Sequence, residues 1–192
     1  RQAEDFGAQC LQARALRLLP EERVKTVVTD RGSFRCLGIL LATGARPRTL
    51  DFPGEAEFRG RGISYCAACD GALFSGKDVF VIGGGHAAAQ ESLYLARIAR
   101  HVTVLMRSSS FRCPPSAAQA VLDNPDITVL PNTQVLEVTG RALPETLRYE
   151  NCETGEQGSF QAPGEGFGLF VLAGRIPETE LVRGLVRTDP QG

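Results

Sequence analysis

Cys66-Ala67-Ala68-Cys69-Asp70-Gly71 and Gly83-Gly84-Gly85-His86-Ala87-Ala88 are the two stretches of this chain whose residue types and spacing could do chemistry. Two thiols three positions apart can close a small ring and reopen it by thiolate exchange, which moves two electrons. A nearby helix dipole or neighbouring group commonly depresses one thiol's pKa and makes it the attacking thiolate. Asp70 can give or take the proton that accompanies thiolate release, and Gly71 permits a sharp turn beside it. The other readings of such a pair are inert thiols or half of a zinc site. Zinc wants four ligands, and only His86 and His101 are on offer beyond scattered cysteines.

The second stretch has the form G-x-G-x-x-A, with Gly83, Gly85 and Ala88 in the marked places. The first glycine allows a tight turn, the second lets a pyrophosphate approach the backbone, and the small third residue lets helix and strand pack closely. A helix that opens there presents free N–H groups and its positive dipole end to phosphate. Ala87 and His86 lie at that opening, and His86 is either a contact to the dinucleotide or a helix-start residue without a ligand. The identity of the nicotinamide is read at the end of the next strand, where an NAD site wants a carboxylate on the ribose 2′-hydroxyl. This chain has Met106-Arg107-Ser108-Ser109-Ser110-Phe111-Arg112 instead. Guanidinium forks match phosphate geometry, so Arg107 and Arg112 suit the 2′-phosphate of NADPH; a solvated loop that merely carries Arg is the plain alternative. Hydride carriers and thiols exchange electrons poorly by themselves, so the combination also asks for a flavin, FAD, between them.

The elements that must position these groups follow from periodicity. Asp78–Ile82 reads as a strand, Ala87–Arg100 as a helix and His101–Met106 as a second strand, a βαβ unit within the roughly 30 residues of a dinucleotide fold. Ser116–Leu122 reads as a helix, and Ile127–Leu130, Thr133–Thr139 and Thr146–Asn151 as strands. Two near-continuous apolar runs, Leu37–Ala42 and Gly168–Ala173, read as strands buried on both faces. Upstream, 2–11 can form a short helix, and 14–19, 24–30 and 33–36 short strands. Leu50–Gly62, rich in Pro, Gly and charge, reads as a linker. The fold expected is α/β: a Rossmann-like nucleotide domain over 62–168, a βαβ sheet plus a small antiparallel sheet, inserted into a partial flavin domain made of 1–61 and 169–192.

A net charge of −1, from 21 basic and 22 acidic residues, gives no support to a nucleic-acid or acidic-membrane partner. No apolar run approaches the roughly 20 residues of a membrane span. Of six cysteines, only Cys66 and Cys69 share a motif spacing. Cys10, Cys36, Cys113 and Cys152 read as buried or incidental thiols of a reducing, cytoplasmic compartment.

The segment Gly62-Ile63-Ser64-Tyr65-Cys66-Ala67-Ala68-Cys69-Asp70-Gly71, the glycine loop through Gln90-Glu91, and Arg107 with Arg112 together resemble the low-molecular-weight thioredoxin reductases of the pyridine nucleotide-disulfide oxidoreductase superfamily. Ala42-Thr43-Gly44 is similar to that family's flavin-contacting segment, and Gly174-Arg175-Ile176-Pro177 to the end of its NADPH domain. The chain departs from the family at Ala68, His86 and Gln90, and Ser108 stands where a third phosphate-reading Arg is usual. The resemblance implies that Cys66 and Cys69 form the redox disulfide, that Asp70 is the acid/base, and that FAD passes electrons from NADPH to the pair, which then reduces a thioredoxin-like protein. It implies nucleotide contacts at Gly83, Gly85, His86, Ala87, Ala88, Glu91, Arg107, Ser108, Arg112, Gly174 and Arg175, and flavin contacts at Thr43 and Gly44. It further implies hinges near 50–62 and 162–168 and a homodimer for the full-length protein. Neither the glycine-rich FAD fingerprint before Gly83 nor a Gly-Asp flavin motif after Arg175 is present. The expectation is therefore a piece of a longer protein that binds FAD poorly by itself. The rival readings are a related flavin disulfide reductase, of the peroxiredoxin-partner or ferredoxin-linked type, and a nucleotide-binding module without turnover.

Overall fold

The computed structural model describes residues 2–21 and 23–190. The chain forms two compact units, one from 1–46 with 176–192 and one from 47–175.

The first unit holds the short helix α1 (Gln2–Asp5) and an antiparallel meander of β1 (Ala15–Leu19), β2 (Lys25–Thr29) and β3 (Gly32–Cys36). A 3-10 turn at Glu180–Val182 covers β1, and Leu18 and Val182 are its buried apolar side chains. The helix expected over 2–11 stops at Asp5, because none of its residues is buried and nothing stabilises an exposed four-residue turn beyond its caps. The apolar run Leu37–Ala42 is not a strand. Leu37 is 77% and Leu40 94% exposed, and no strand among the described residues pairs with the run, without which an isolated parallel strand has no ladder to join. The chain passes between the units through β4 (Ala45–Pro47) and, later, β13 (Arg175–Pro177), which pair as a two-stranded ribbon. Glu22, between the strands expected at 14–19 and 24–30, lies outside the described residues.

The second unit begins with α2 (Glu55–Phe58), β5 (Ile63–Ser64), α3 (Ala67–Asp70) and a 3-10 turn at Gly71–Phe74. The alternating core follows: β6 (Asp78–Ile82), α4 (His86–Leu95), β7 (His101–Leu105), α5 (Pro115–Leu122) and β8 (Ile127–Leu130). A meander of β9 (Thr133–Gly140), β10 (Pro144–Asn151) and β11 (Gln157–Gln161) leads to β12 (Gly168–Val171). The parallel sheet has the order β5-β12-β6-β7-β8, with β9, β10 and β11 as a separate antiparallel sheet. Successive residues of β6 face opposite ways. Val79 and Val81 pack with Ala88, Leu95 and Val121 of the helices; Phe80 and Ile82 pack with Val138 and Leu147 of the antiparallel sheet. Both faces of the parallel sheet are thus covered, which is why its strands read as near-continuous apolar runs.

Several expectations change here. Residues 50–62 are not a linker: Phe52 and Phe58 are buried, and Val138 N–H bonds the Pro53 carbonyl at 2.9 Å. The stretch 162–168 is likewise packed, with Phe167 fully buried and Gly168 against the Phe74 ring. The two compact units divide in sequence at Arg46/Pro47 and Arg175/Ile176, with both stretches and β12 inside the second unit. Helix α4 ends at Leu95 rather than near Arg100. The following turn is used to hold the start of β6, with Gly76 N–H on the Ile98 carbonyl and Arg100 N–H on that of Lys77.

Candidate functional site

The order of the parallel sheet creates one place where neighbouring strands diverge. From β6 the chain steps to β7 and β8 on one side, while β12 arrives on the other. Ligands of open α/β sheets bind beyond the carboxyl ends of the strands at such a switch point. A cavity of about 430 Å³ lies there, lined by the glycine loop after β6, by Arg107, Ser108 and Arg112 after β7, and by Gly174 after β12.

The loop glycines are required for different reasons. Gly83 has φ of +150°, and a Cβ on it would lie 2.5 Å from the Leu172 carbonyl oxygen and 3.0 Å from Ala88 Cβ. This is the tight strand-to-helix turn, and Ala88 is fully buried against it. A Cβ on Gly85 would meet nothing within 4 Å, so no protein packing demands glycine there. The open space belongs to the cavity. Helix α4 begins immediately after, with no side-chain cap, so the N–H groups of its first turn remain available to an anion. The Arg-bearing loop is latched to this turn: Arg112 N–H bonds the Gly84 carbonyl at 2.7 Å, and Ser108 Oγ donates to the Ser110 carbonyl at 2.8 Å. His86 and Ala87 are exposed and line the same cavity. These donors, two guanidinium groups, a helix start and a bare glycine, fit a phosphate-bearing dinucleotide.

Cys66 and Cys69 form a disulfide across the first turn of α3, with Cα atoms 5.3 Å apart. Cys69 is exposed and Cys66 half-buried. The Cys69 N–H points to Cys66 Sγ at 3.2 Å, so the sulfur caps the helix that carries its partner. The Ser64 hydroxyl donates to Asp70 Oδ2 at 2.6 Å and accepts the Cys66 N–H at 3.1 Å. Glu91 was expected at the nucleotide. It stands instead on the face of α4 that meets α3, where its Oε2 accepts the Ala67 N–H at 2.7 Å, and it does not line the cavity. Helix α4 therefore opens at the cavity and, in its second turn, holds the start of the disulfide turn.

Glu55, 3% exposed, makes a second anchor. Its Oε2 accepts the N–H groups of Leu50 at 2.8 Å and Asp51 at 2.5 Å, and its Oε1 accepts the Tyr65 hydroxyl at 2.8 Å. It so ties Leu50 and Phe52, two cavity walls, to the residue before Cys66. Burial, then the hydrogen bond and charge of Glu55, push the Tyr65 phenol up to about 12. The folded protein holds this proton more tightly than the unfolded chain, where a tyrosine titrates near 10. The bond's contribution is complete below about pH 10 and is lost as pH rises through about 12. Tyr65→Phe is expected to lower stability at neutral pH by about 1 kcal/mol and to lack this extra alkaline loss, as read by urea unfolding from pH 8 to 12.

Of the remaining expected residues, Gly174 lines the cavity and Arg175 follows it without lining it. Thr43 and Gly44 are exposed in the first unit, where Gly44 O accepts the Glu178 N–H at 3.0 Å. Among the described residues of that unit no helix opens after a glycine turn. Cys113 is half-buried against the helix-side core, whereas Cys10 and Cys152 are exposed rather than buried, Cys10 lying beyond α1 in a stretch without regular structure and Cys152 in the turn after β10. Among the described residues no three His, Cys, Asp or Glu side chains gather as a metal site, and no helix is long and apolar enough to cross a membrane. Leu50, Phe52, Ser64 and Glu55 had no sequence signal beyond their apolar or polar type.

A family model described as pyridine nucleotide-disulphide oxidoreductase matches residues 8–192. The chain belongs to that family. It is 34% identical to a thioredoxin reductase of Peptoclostridium acidaminophilum, over all of this chain and 61% of that relative. It is 37% identical to the NADPH-dependent thioredoxin reductase 3 of Arabidopsis thaliana, over all of this chain and 36% of that one. The crystal structure of Lactococcus lactis thioredoxin reductase superposes with a TM-score of 0.86 at 32% identity, covering 98% of this chain and 61% of that one. The chain thus spans at most about three fifths of the length of these relatives.

Proposed function

We propose that this family member serves NADPH-dependent reduction of a protein disulfide, with Cys66 and Cys69 as the exchanging pair and a thioredoxin-like protein as substrate. The observation that carries the reading is the double use of α4: its N-terminus opens into the Arg-lined cavity, and its Glu91 fixes the turn bearing the disulfide. The names of the relatives, thioredoxin reductases and one NADPH-dependent, support the same assignment. FAD, with Thr43 and Gly44 among its contacts, would supply the two-electron step between nicotinamide and sulfur.

In this reading the first turn of α4 and Gly85 receive the pyrophosphate, and Arg107 and Arg112 the 2′-phosphate. Ser108, in place of a third guanidinium, contributes a neutral hydroxyl. Asp70 exchanges protons with the dithiol. Because the chain spans about three fifths of the length of its relatives, it is expected to bind NADPH without turnover, and the protein expressed from its complete reading frame to turn over. Calorimetric titration tests the nucleotide assignment on the chain itself. Arg107→Ala and Arg112→Ala are each expected to weaken NADPH about ten-fold while leaving NADH within about two-fold, the loss of one charge-assisted contact. Equal losses for both nucleotides would refute the 2′-phosphate role.

A further inference from the structure

We infer that Ser64 is a positioning residue for the dithiol chemistry, holding the Asp70 carboxylate in reach of the Cys66–Cys69 pair. The inference rests on the proposed disulfide exchange at this turn. Ser64 is 7% exposed, lies in β5 and pairs with Phe170 of β12, so its backbone is part of the rigid sheet. Its hydroxyl is used on both sides. The oxygen accepts the Cys66 N–H at 3.1 Å, and the hydrogen goes to Asp70 Oδ2 at 2.6 Å in preference to the Cys66 carbonyl at 3.3 Å. One side chain therefore fixes the first cysteine's backbone and the acid/base carboxylate in one frame. Asp70 otherwise sits at the end of a four-residue helix, half-buried, held by its N–H on the Cys66 carbonyl at 3.2 Å. Without the hydroxyl its carboxylate is free to rotate about χ1 and χ2 toward water.

The chemistry that uses this frame balances as follows. One cysteine of the reduced pair attacks a disulfide R–S–S–R as a thiolate, forms a mixed disulfide and releases one R–S⁻. The second cysteine then attacks the first, closes the 66–69 disulfide and releases the other R–S⁻. The pair loses two electrons and two protons, and the two released thiols gain them. Asp70 is the local group that takes a proton from a cysteine and returns it to a leaving thiolate.

The test uses the 192-residue chain, reduced with dithiothreitol, desalted and mixed with cystamine. Samples are alkylated at intervals, and re-formation of the 66–69 disulfide is read by mass spectrometry of that peptide. Ser64→Ala is expected to slow closure about ten-fold, a share of the rate that general acid–base assistance commonly supplies. Asp70→Asn is expected to slow it at least as much, and Ser64→Ala/Asp70→Asn no more than Asp70→Asn alone, because a residue acting through Asp70 has nothing left to position. NADPH affinity is expected to stay within two-fold of wild type in Ser64→Ala, which reports an intact fold. Closure at the wild-type rate in Ser64→Ala, or full multiplication of the two losses in the double variant, would overturn the inference. NADPH-driven turnover of the wild-type protein from its complete reading frame, measured in parallel, judges the proposed function separately. Its failure would leave the cystamine result standing.

Discussion

Replacing either Cys66 or Cys69 by Ser is expected to reduce disulfide-reductase turnover by roughly four orders of magnitude or more, as removal of a covalent nucleophile does. The two sulfurs are the only disulfide the described residues contain, and the four free cysteines, at 10, 36, 113 and 152, are far from them in sequence and none shares their spacing. None of the four is expected to substitute. Each single variant retains one thiol in a turn otherwise intact, with Glu91 on the Ala67 N–H and Ser64 on the Cys66 N–H. NADPH affinity should therefore be unchanged, since the cavity lies at the other end of α4's contacts. The assay, on the protein expressed from its complete reading frame, is NADPH oxidation coupled to thioredoxin-type disulfide reduction, with titration of NADPH on the same samples. Residual turnover above about one part in a hundred in either variant would mean that another thiol carries the exchange.

Gly85→Val is expected to weaken NADPH about a hundred-fold or more, close to 3 kcal/mol, with little change in folding stability. The separation of the two effects follows from geometry. A Cβ at Gly85 has nothing within 4 Å and its backbone φ of −92° suits any residue, so the fold tolerates a side chain. In the proposed nucleotide assignment, that side chain fills the space through which the pyrophosphate approaches the helix start. Gly83→Ala is the opposite case. Its φ of +150° and a carbonyl 2.5 Å from the added carbon put the cost on the protein itself, about 1–3 kcal/mol from the strained backbone alone. Urea unfolding and calorimetry on the two variants read both quantities. Equal destabilisation by the two substitutions, or undiminished NADPH binding in Gly85→Val, would contradict the assignment of the two glycines.

The βαβ core of the second unit was largely legible because its signals are local. β6, β7 and β8 occur where the apolar periodicity placed them, within a residue at each end. The glycine loop sits between a strand and a helix, as the pattern requires, and brings Arg107, Ser108 and Arg112 to one cavity although they follow a different strand. What escaped the sequence was non-local. β11 reads Gln-Gly-Ser-Phe-Gln, a polar edge strand whose one apolar residue, Phe160, is explained only by its packing on Phe80 and Phe167. Residues 50–62 have the composition of a linker, yet Gly54 is pressed against Val138 and Glu55 is buried among N–H groups it satisfies. Leu37–Ala42 shows the converse: apolar enough for a central strand, but left without neighbours to pair with. Glu91 illustrates the limit for sites. The family resemblance implied a nucleotide contact for it, whereas 3.6 residues per turn carry it round α4 to the disulfide turn.

The most direct measurement follows electrons to the sulfurs. The protein, expressed from its complete reading frame, is held without oxygen, given NADPH alone, alkylated and digested. The account predicts that Cys66 and Cys69 pass from an unlabelled disulfide to two labelled thiols within the turnover time, and that Arg107→Ala/Arg112→Ala slows this with NADPH but not with NADH. A 66–69 disulfide that stays intact while NADPH is consumed would contradict it.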